Sequence, residues 1–187
     1  MKLVLFSDIH GNADALNVFL CQIQNLTYDH VIFCGDIFGY YYDQKKIINM
    51  LSDMSGLIWL KGNHDVYFLK LSGLNCEKRT EAEQYYIENY GHSYEKLSLR
   101  YDKEEIELIA SHPSEFLLEE ENNRIGIFHG TPENSLEGRL YPDQPILKAD
   151  AYDPYDIVIL GHTHCRMVRM GSYACNKSRF IRAAKRW

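Results

Sequence analysis

Five short apolar segments each run into a cluster of glycine, aspartate, asparagine or histidine. The segments are rich in β-branched and aromatic residues and nearly continuous in hydrophobicity, which is typical of strands covered on both faces. They are KLVLFS at 2–7, VIFCG at 31–35, LIWLK at 57–61, IGIFH at 125–129 and IVILG at 157–161. Each segment predicts a buried strand that ends abruptly in polar side chains.

Helical patterns separate the first three predicted strands. Apolar residues recur on one helical face within residues 12–25 and 43–54, with Asn12 and Asp43 as candidate N-caps. A strand–helix–strand–helix–strand order predicts a parallel sheet with helices packed on it.

The pattern after residue 100 predicts a helix followed by a β-hairpin. Residues 102–113 predict a third helix, with Asp102 and Glu105 spaced as a capping box. Residues 115–129 predict a β-hairpin whose turn lies at Asn122 and Asn123.

The polar residues that follow the five strands should meet, because ligands of open α/β sheets bind outside the carboxyl ends of the strands. We expect them at one edge of one sheet. They are Asp8, His10, Asp36, Asn63, His64, Asp65, His129, His162 and His164. Carboxylate, imidazole and amide groups are ligands for divalent transition metals. Each pair alone also fits an ordinary turn, but five such strand endings in order favour a metal site.

Composition and charge narrow the class of protein. The chain has 187 residues, 45% of them hydrophobic, which predicts a single globular domain. Its formal net charge is −6. An acidic body disfavours a nucleic-acid substrate, although residues 166–187 form a basic tail with seven basic and no acidic residues. We expect no membrane segment and a cytoplasmic location with free thiols at Cys21, Cys34, Cys76, Cys165 and Cys175.

The ordered blocks D-x-H, G-D, G-N-H-D, H and G-H-x-H between residues 8 and 164 resemble the calcineurin-like metallophosphoesterase superfamily. The segment GDIFGYYYDQKKIINML and the HGTPEN block are similar to the small prokaryotic branch. That branch includes YfcE-like phosphodiesterases and proteins related to diadenosine tetraphosphate hydrolases. The resemblance implies an α/β fold, a four-layer α-β-β-α sandwich. Because the tail lacks the Asn-Pro-Gly-Ser turn of the family, the second sheet is expected to be incomplete at the C-terminus.

The resemblance also implies a role for each block. One metal ion would be held by Asp8, His10 and His164 and the other by Asn63, His129 and His162, with Asp36 bridging both. His64 would stabilise charge and help to protonate the leaving oxygen, and Asp65 would hydrogen-bond His64 and keep it cationic. We expect two divalent ions, with manganese favoured and iron, zinc or nickel as alternatives.

The implied activity is hydrolysis of a small phosphodiester or phosphoanhydride by attack of a metal-bridging hydroxide. A phosphomonoesterase, a phosphoprotein phosphatase and a non-catalytic binding scaffold such as the retromer subunit are the alternatives. A small phosphate ester or nucleotide is the expected partner, and the sequence leaves the oligomeric state open. An insert at residues 70–122 could cover the cleft. Tyr40, Tyr41 and Tyr42 could reach the cleft rim and stack a nucleobase, but surface or core packing is the expected role of this tyrosine-rich segment.

Overall fold

A computed structural model describes residues 1–72, 81–90, 92–146, 149–172 and 178–183 of the chain. The eight strands in these ranges are β1 (Leu3–Phe6), β2 (His30–Phe33), β3 (Leu57–Trp59), β4 (Glu115–Glu120), β5 (Asn123–Phe128), β6 (Ile157–Leu160), β7 (Met167–Ser172) and β8 (Ser178–Ala183). The six α-helices are α1 (Ala13–Ile23), α2 (Gln44–Ser52), α3 (Asn63–Leu71), α4 (Glu81–Tyr90), α5 (Ser93–Ser98) and α6 (Lys103–Ser111).

The strands form two sheets rather than one. The first sheet is parallel, in the order β1-β2-β3. The second has the order β4-β5-β6-β8-β7, with parallel pairing in its centre and an antiparallel pair at each edge. The prediction that all five strand endings lie on one sheet is therefore wrong. Both sheets have doubly covered strands, so hydrophobicity alone does not assign a strand to one or the other.

The two sheets face each other across an aliphatic layer. Ile32 and Leu60 of the first sheet region pack with Ile125, Ile127 and Ile159 of the second. All five side chains have at most 1% of their surface exposed, so this layer is dry. It fixes the two sheets so that their strand ends point into the same region.

All six helices contribute to the apolar layer on the outer face of the first sheet. Two of the three predicted N-caps are confirmed. Asn12 accepts a hydrogen bond from the Ala15 amide at 3.0 Å, and Asp102 forms a capping box with Glu105. Asp43 precedes α2 but makes no side-chain capping bond. The outer face of the second sheet packs against Leu140, Ile146 and Tyr152 of the segment before β6.

The predicted hairpin and the tail have defined places. β4 and β5 pair in register around a turn at Glu121 and Asn122, one residue earlier than predicted. The basic tail supplies β7 and β8, so it extends the second sheet; its residues 173–177 and 184–187 lie outside the described ranges. The insert supplies α4, α5 and α6, while its residues 73–80 and 91 also lie outside them.

Two smaller expectations can be compared with the structure. In the described ranges, no helix is long and apolar enough to cross a membrane. Cys21, Cys34 and Cys165 are free thiols, and Cys76 and Cys175 lie outside the described residues.

Candidate metal centre

The loops that follow the strands adopt an unusual backbone conformation at the predicted ligands. Within the described ranges, seven non-glycine residues have positive φ angles, and two of them form the β4–β5 turn. The other five are Asp8 (58°), His10 (49°), Asp36 (68°), His162 (61°) and His164 (56°). A left-handed conformation at a non-glycine residue costs on the order of 1–3 kcal/mol and persists only where the surroundings enforce it. Backbone strain is thus concentrated at the predicted site.

One group of side chains contains Asp8, His10 and His164, whose candidate ligand atoms lie within 4.8 Å of one another. His164 Nε2 is 3.1 Å from Asp8 Oδ1 and 3.2 Å from His10 Nε2. The His10 Nδ1–H donates to the Phe38 carbonyl oxygen at 2.6 Å, so its Nε2 is the atom turned to the group. These three residues come from both sheets, since Asp8 and His10 follow β1 and His164 follows β6.

A second group contains Asp36, His129 and His162, all buried and again within 4.8 Å. His129 Nε2 lies 3.3 Å from Asp36 Oδ2 and 3.0 Å from the side-chain oxygen of Asn63. Asp36 also approaches the first group, because its Oδ2 is 3.8 Å from His10 Nε2. A carboxylate between two clusters of imidazoles is the arrangement expected of a bridging ligand.

The donor set fits cations on two independent observations. Asp36 Oδ2 and His162 Nε2 are buried and make no hydrogen bond. In addition, the His129 Nδ1–H donates to the Cys34 carbonyl oxygen at 2.7 Å. The Nε2 of neutral His129 would therefore present a lone pair to the oxygens of Asn63 and Asp36. Lone pairs that face one another need a proton or a metal ion between them, and buried polar atoms normally have a partner.

The electrostatics of the second group lead to the same conclusion. Burial opposes ionisation of Asp36, but the charge of His129 and its contact with the carboxylate outweigh it and lower the Asp36 pKa. Burial likewise opposes the charged form of His129, yet Asp36 raises the His129 pKa to about 9. Burial and then the positive charge of His129 lower the pKa of His162 to about 4. The site holds a buried carboxylate that attracts positive charge, beside an imidazole with its lone pair available.

His64 lies beside both groups. Its backbone amide donates to Asp36 Oδ1 at 2.9 Å, and its ring packs edge-on against His10 with 5.0 Å between centroids. Its Nδ1 is 2.5 Å from the Tyr94 hydroxyl oxygen. Burial, as the largest cause, lowers the His64 pKa. Tyr94 was not predicted, because it lies on α5 within the insert and nothing in the local sequence marks it.

The expected hydrogen bond from Asp65 to His64 is wrong. The Asp65 carboxylate instead accepts four backbone amides, those of Asp36, Ile37, Phe38 and Gly62, at 2.8–3.1 Å. Asp65 is the third residue of α3, so its side chain turns back to the helix start and to the loop after β2. Burial and then the charge of Asp36 raise its pKa to about 7, against these hydrogen bonds. Asp65 holds the loop that carries Asp36 and does not orient His64.

Gly62 shows how tightly this loop is packed. A Cβ atom at that position would lie 2.0 Å from Asp36 Oδ1 and 2.7 Å from the Asp36 amide nitrogen. The glycine of the G-N-H-D block is thus required by the approach of the Asp36 carboxylate rather than by a turn conformation.

A cleft of about 530 Å³ opens beside His64. Four tyrosines contribute to its walls, together with Asn63, Glu137 and Arg139, and the tyrosines are Tyr40, Tyr67, Tyr85 and Tyr94. Tyr40 lies 4.7 Å from the His10 ring and 5.9 Å from the His64 ring, centroid to centroid. The expectation that Tyr40 is only a packing residue is therefore wrong, since 56% of its surface is exposed at the cleft.

The remaining histidines, His30, His92 and His112, lie outside this cluster. His30 pairs with Glu120 at 2.9 Å, His92 contacts Glu95, and His112 stacks on Trp59 with 4.0 Å between ring centroids.

Comparison with known proteins identifies the family. The model of the calcineurin-like phosphoesterase superfamily domain matches residues 1–180. The chain belongs to this superfamily. The fold agrees: a metallophosphoesterase from Sphaerobacter thermophilus matches 98% of the chain and 75% of its own length with a TM-score of 0.70 at 17% identity. A hypothetical protein from Pyrococcus horikoshii matches 98% of the chain and 76% of its own length, also with a TM-score of 0.70, at 16% identity.

A curated relative is more similar in sequence. An uncharacterized protein of Methanocaldococcus jannaschii is 26% identical over 175 residues, which is 89% of this chain. The chain spans 63% of the length of that relative. The predicted α/β metallophosphoesterase fold is confirmed by these structural matches. The division into one domain with an insert stays a prediction.

Proposed function

We propose that this protein hydrolyses a small phosphodiester or phosphoanhydride with the help of two divalent metal ions. The observation that carries the proposal is the pair of ligand groups that adjoin Asp36, in which every residue except the half-buried His164 is buried, and in which Asp36 Oδ2 and His162 Nε2 lack hydrogen-bond partners. Membership of the calcineurin-like phosphoesterase superfamily supports it. We expect manganese, with iron, zinc or nickel as alternatives.

The residues divide into two ligand sets. Asp8, His10 and His164 would hold one ion, and Asn63, His129 and His162 the other, with Asp36 between them. Such ions supply positive charge and lower the pKa of coordinated water from about 15.7 toward about 7. The carbonyl oxygens of Phe38 and Cys34 fix the rings of His10 and His129 so that each Nε2 faces the site.

His64 is the candidate hydrogen-bond donor to the leaving oxygen. Its lowered pKa favours a neutral imidazole near pH 7 rather than the expected cation. If the Tyr94 hydroxyl donates to Nδ1, the proton of neutral His64 resides on Nε2. That N–H is then available to hydrogen-bond the leaving oxygen and to stabilise the negative charge that develops on it as the bond breaks. Tyr94 is a positioning residue in this scheme.

A diester fits the cleft better than a monoester. Among the described residues that line the cleft, Arg139 and Glu137 are the charged ones, and their charges cancel. A monoanionic diester needs less positive charge to balance it than a dianionic monoester does, so bound metal ions can balance most of its charge.

The direct test is hydrolysis of bis-p-nitrophenyl phosphate and of p-nitrophenyl phosphate by the protein with and without Mn²⁺. We expect Mn²⁺-dependent turnover with a higher kcat/KM for the diester. Asp36→Asn should lower kcat/KM by at least about 100-fold, because loss of a residue that merely hydrogen-bonds a metal ligand already costs 10- to 100-fold. Asp14→Asn, which changes an exposed carboxylate on α1, is the matched control and should retain activity.

A higher kcat/KM for the monoester would indicate a phosphomonoesterase instead of a phosphodiesterase. Absence of turnover of both esters by folded protein with bound metal would favour a binding scaffold instead.

A further inference from the structure

The cleft beside His64 combines aromatic walls with polar edges. Tyr40 and Tyr85 are 56% and 65% exposed, yet both line the cleft rather than open surface. The ring of Tyr40 lines the cleft and also lies 4.7 Å from the His10 ring of the first ligand group, centroid to centroid. A phosphate ester bound beside His64 would place one substituent against this wall.

Two charged residues line the same cleft. The Tyr67 hydroxyl donates to Glu137 Oε1 at 2.8 Å, which joins α3 to the loop after β5. Arg139 lies two residues further on and also borders a second cavity, of about 440 Å³. One carboxylate and one guanidinium therefore offer an acceptor and donors at the rim of an aromatic slot.

The tyrosine rings and the two charged residues together favour some aromatic ligands over others. A plain benzene ring would use the tyrosine faces but make no hydrogen bond with Glu137 or Arg139. A heterocycle that carries both donor and acceptor atoms at its edge would use both features, and every nucleobase has a π-face for stacking. The cleft volume of about 530 Å³ lies within the usual range of ligand pockets, about 300–1,000 Å³.

We propose that the cleft is a nucleobase subsite and that Tyr40 stacks on the base of a nucleoside phosphate ester. This inference rests on the proposed function, since it assumes that metal ions bound next to His64 hold the phosphate. It narrows the substrate class from any small phosphodiester or phosphoanhydride to one that carries a nucleoside.

Binding affinities can separate the contribution of the base from that of the sugar phosphate. The Mn²⁺-loaded protein should be titrated calorimetrically with adenosine 5′-monophosphate and with ribose 5-phosphate, which share the sugar phosphate and differ in the base. We expect the nucleotide to bind at least about tenfold more tightly, the lower range of measured base–aromatic stacking. Tyr40→Ala should abolish most of this preference, and Tyr40→Phe, which keeps the ring, should retain it.

Tyr42→Ala is the matched control, because Tyr42 is 85% exposed and does not line the cleft; its preference should equal that of the unaltered protein. Equal affinity for the two ligands, or a preference that survives Tyr40→Ala, would overturn the subsite while leaving the phosphoesterase proposal intact. If neither ligand binds and no ester is hydrolysed, the proposed function fails and the subsite fails with it.

Discussion

At the scale of single residues, the properties of the site come from a few buried contacts. Asp36 illustrates this, because its backbone is strained, its Oδ1 accepts the His64 amide, and its Oδ2 faces His129 without a hydrogen bond. The strain opposes folding, so a cation bound by the Asp36 carboxylate would recover stability that the strained backbone loses.

The His129–Asp36 pair predicts how metal affinity depends on pH. Asp36 raises the His129 pKa to about 9, so a metal ion must displace a proton at neutral pH. Mn²⁺ affinity should therefore rise between pH 6.5 and about 9. The stability that the pair itself contributes runs the other way: it is complete below pH 6.5 and is lost as pH rises through about 9. Calorimetry in buffers of different ionisation enthalpy measures the released protons, and pH-independent affinity would contradict this assignment.

The proposed role of His64 predicts a dependence on the leaving group. Phenolate needs stabilisation of its developing charge more than p-nitrophenolate does, so His64→Gln should slow diphenyl phosphate hydrolysis by about 100-fold and bis-p-nitrophenyl phosphate hydrolysis by about tenfold. Tyr94→Phe should give a smaller loss in the same order, because it removes only the hydroxyl next to Nδ1. Equal losses for both esters would show that His64 does not hydrogen-bond the leaving group.

At the scale of helices and strands, local patterns were sufficient for most elements. The spacing of apolar residues predicted α1, α2, α6 and the hairpin, because residues close together in the sequence form the buried face of each element. The positions of Tyr40 and Tyr94 at the cleft depend on how loops and the insert pack against α3, which no local pattern encodes. Asp65 was misassigned for the same reason, since its partners come from the loop after β2.

Two aspartates at helix starts test the value of capping. Asp102 accepts the Glu105 amide at 2.8 Å, whereas Asp43 makes no such bond, and both are exposed. Asp102→Ala should lower the free energy of unfolding by about 1 kcal/mol, and Asp43→Ala by less than about 0.5 kcal/mol. Urea unfolding of both variants provides the comparison; an equal loss would mean that the capping bond contributes nothing to stability.

At the scale of the whole molecule, the site lies where the two sheets meet. The His129 ring of the second sheet donates to the Cys34 carbonyl oxygen next to the first, and the His162 amide donates to Asp8 Oδ2 at 3.2 Å. The sequence predicted which residues gather but not that two sheets supply them, because strands of both sheets have the same apolar pattern. Metal ions bound here would connect the sheets, so metal should raise the Tm of the chain.

The number of bound ions tests the central claim most directly. Mn²⁺ binding should be followed by electron paramagnetic resonance, with the protein, Asp36→Asn and the exposed-carboxylate control Asp14→Asn measured in parallel. We predict two ions per chain for the protein and the control, with a spin-coupled signal because Asp36 lies between the two ligand groups, and at least about 100-fold weaker binding for Asp36→Asn. No bound Mn²⁺, or an Asp36→Asn variant that binds as the unaltered protein does, would contradict the account.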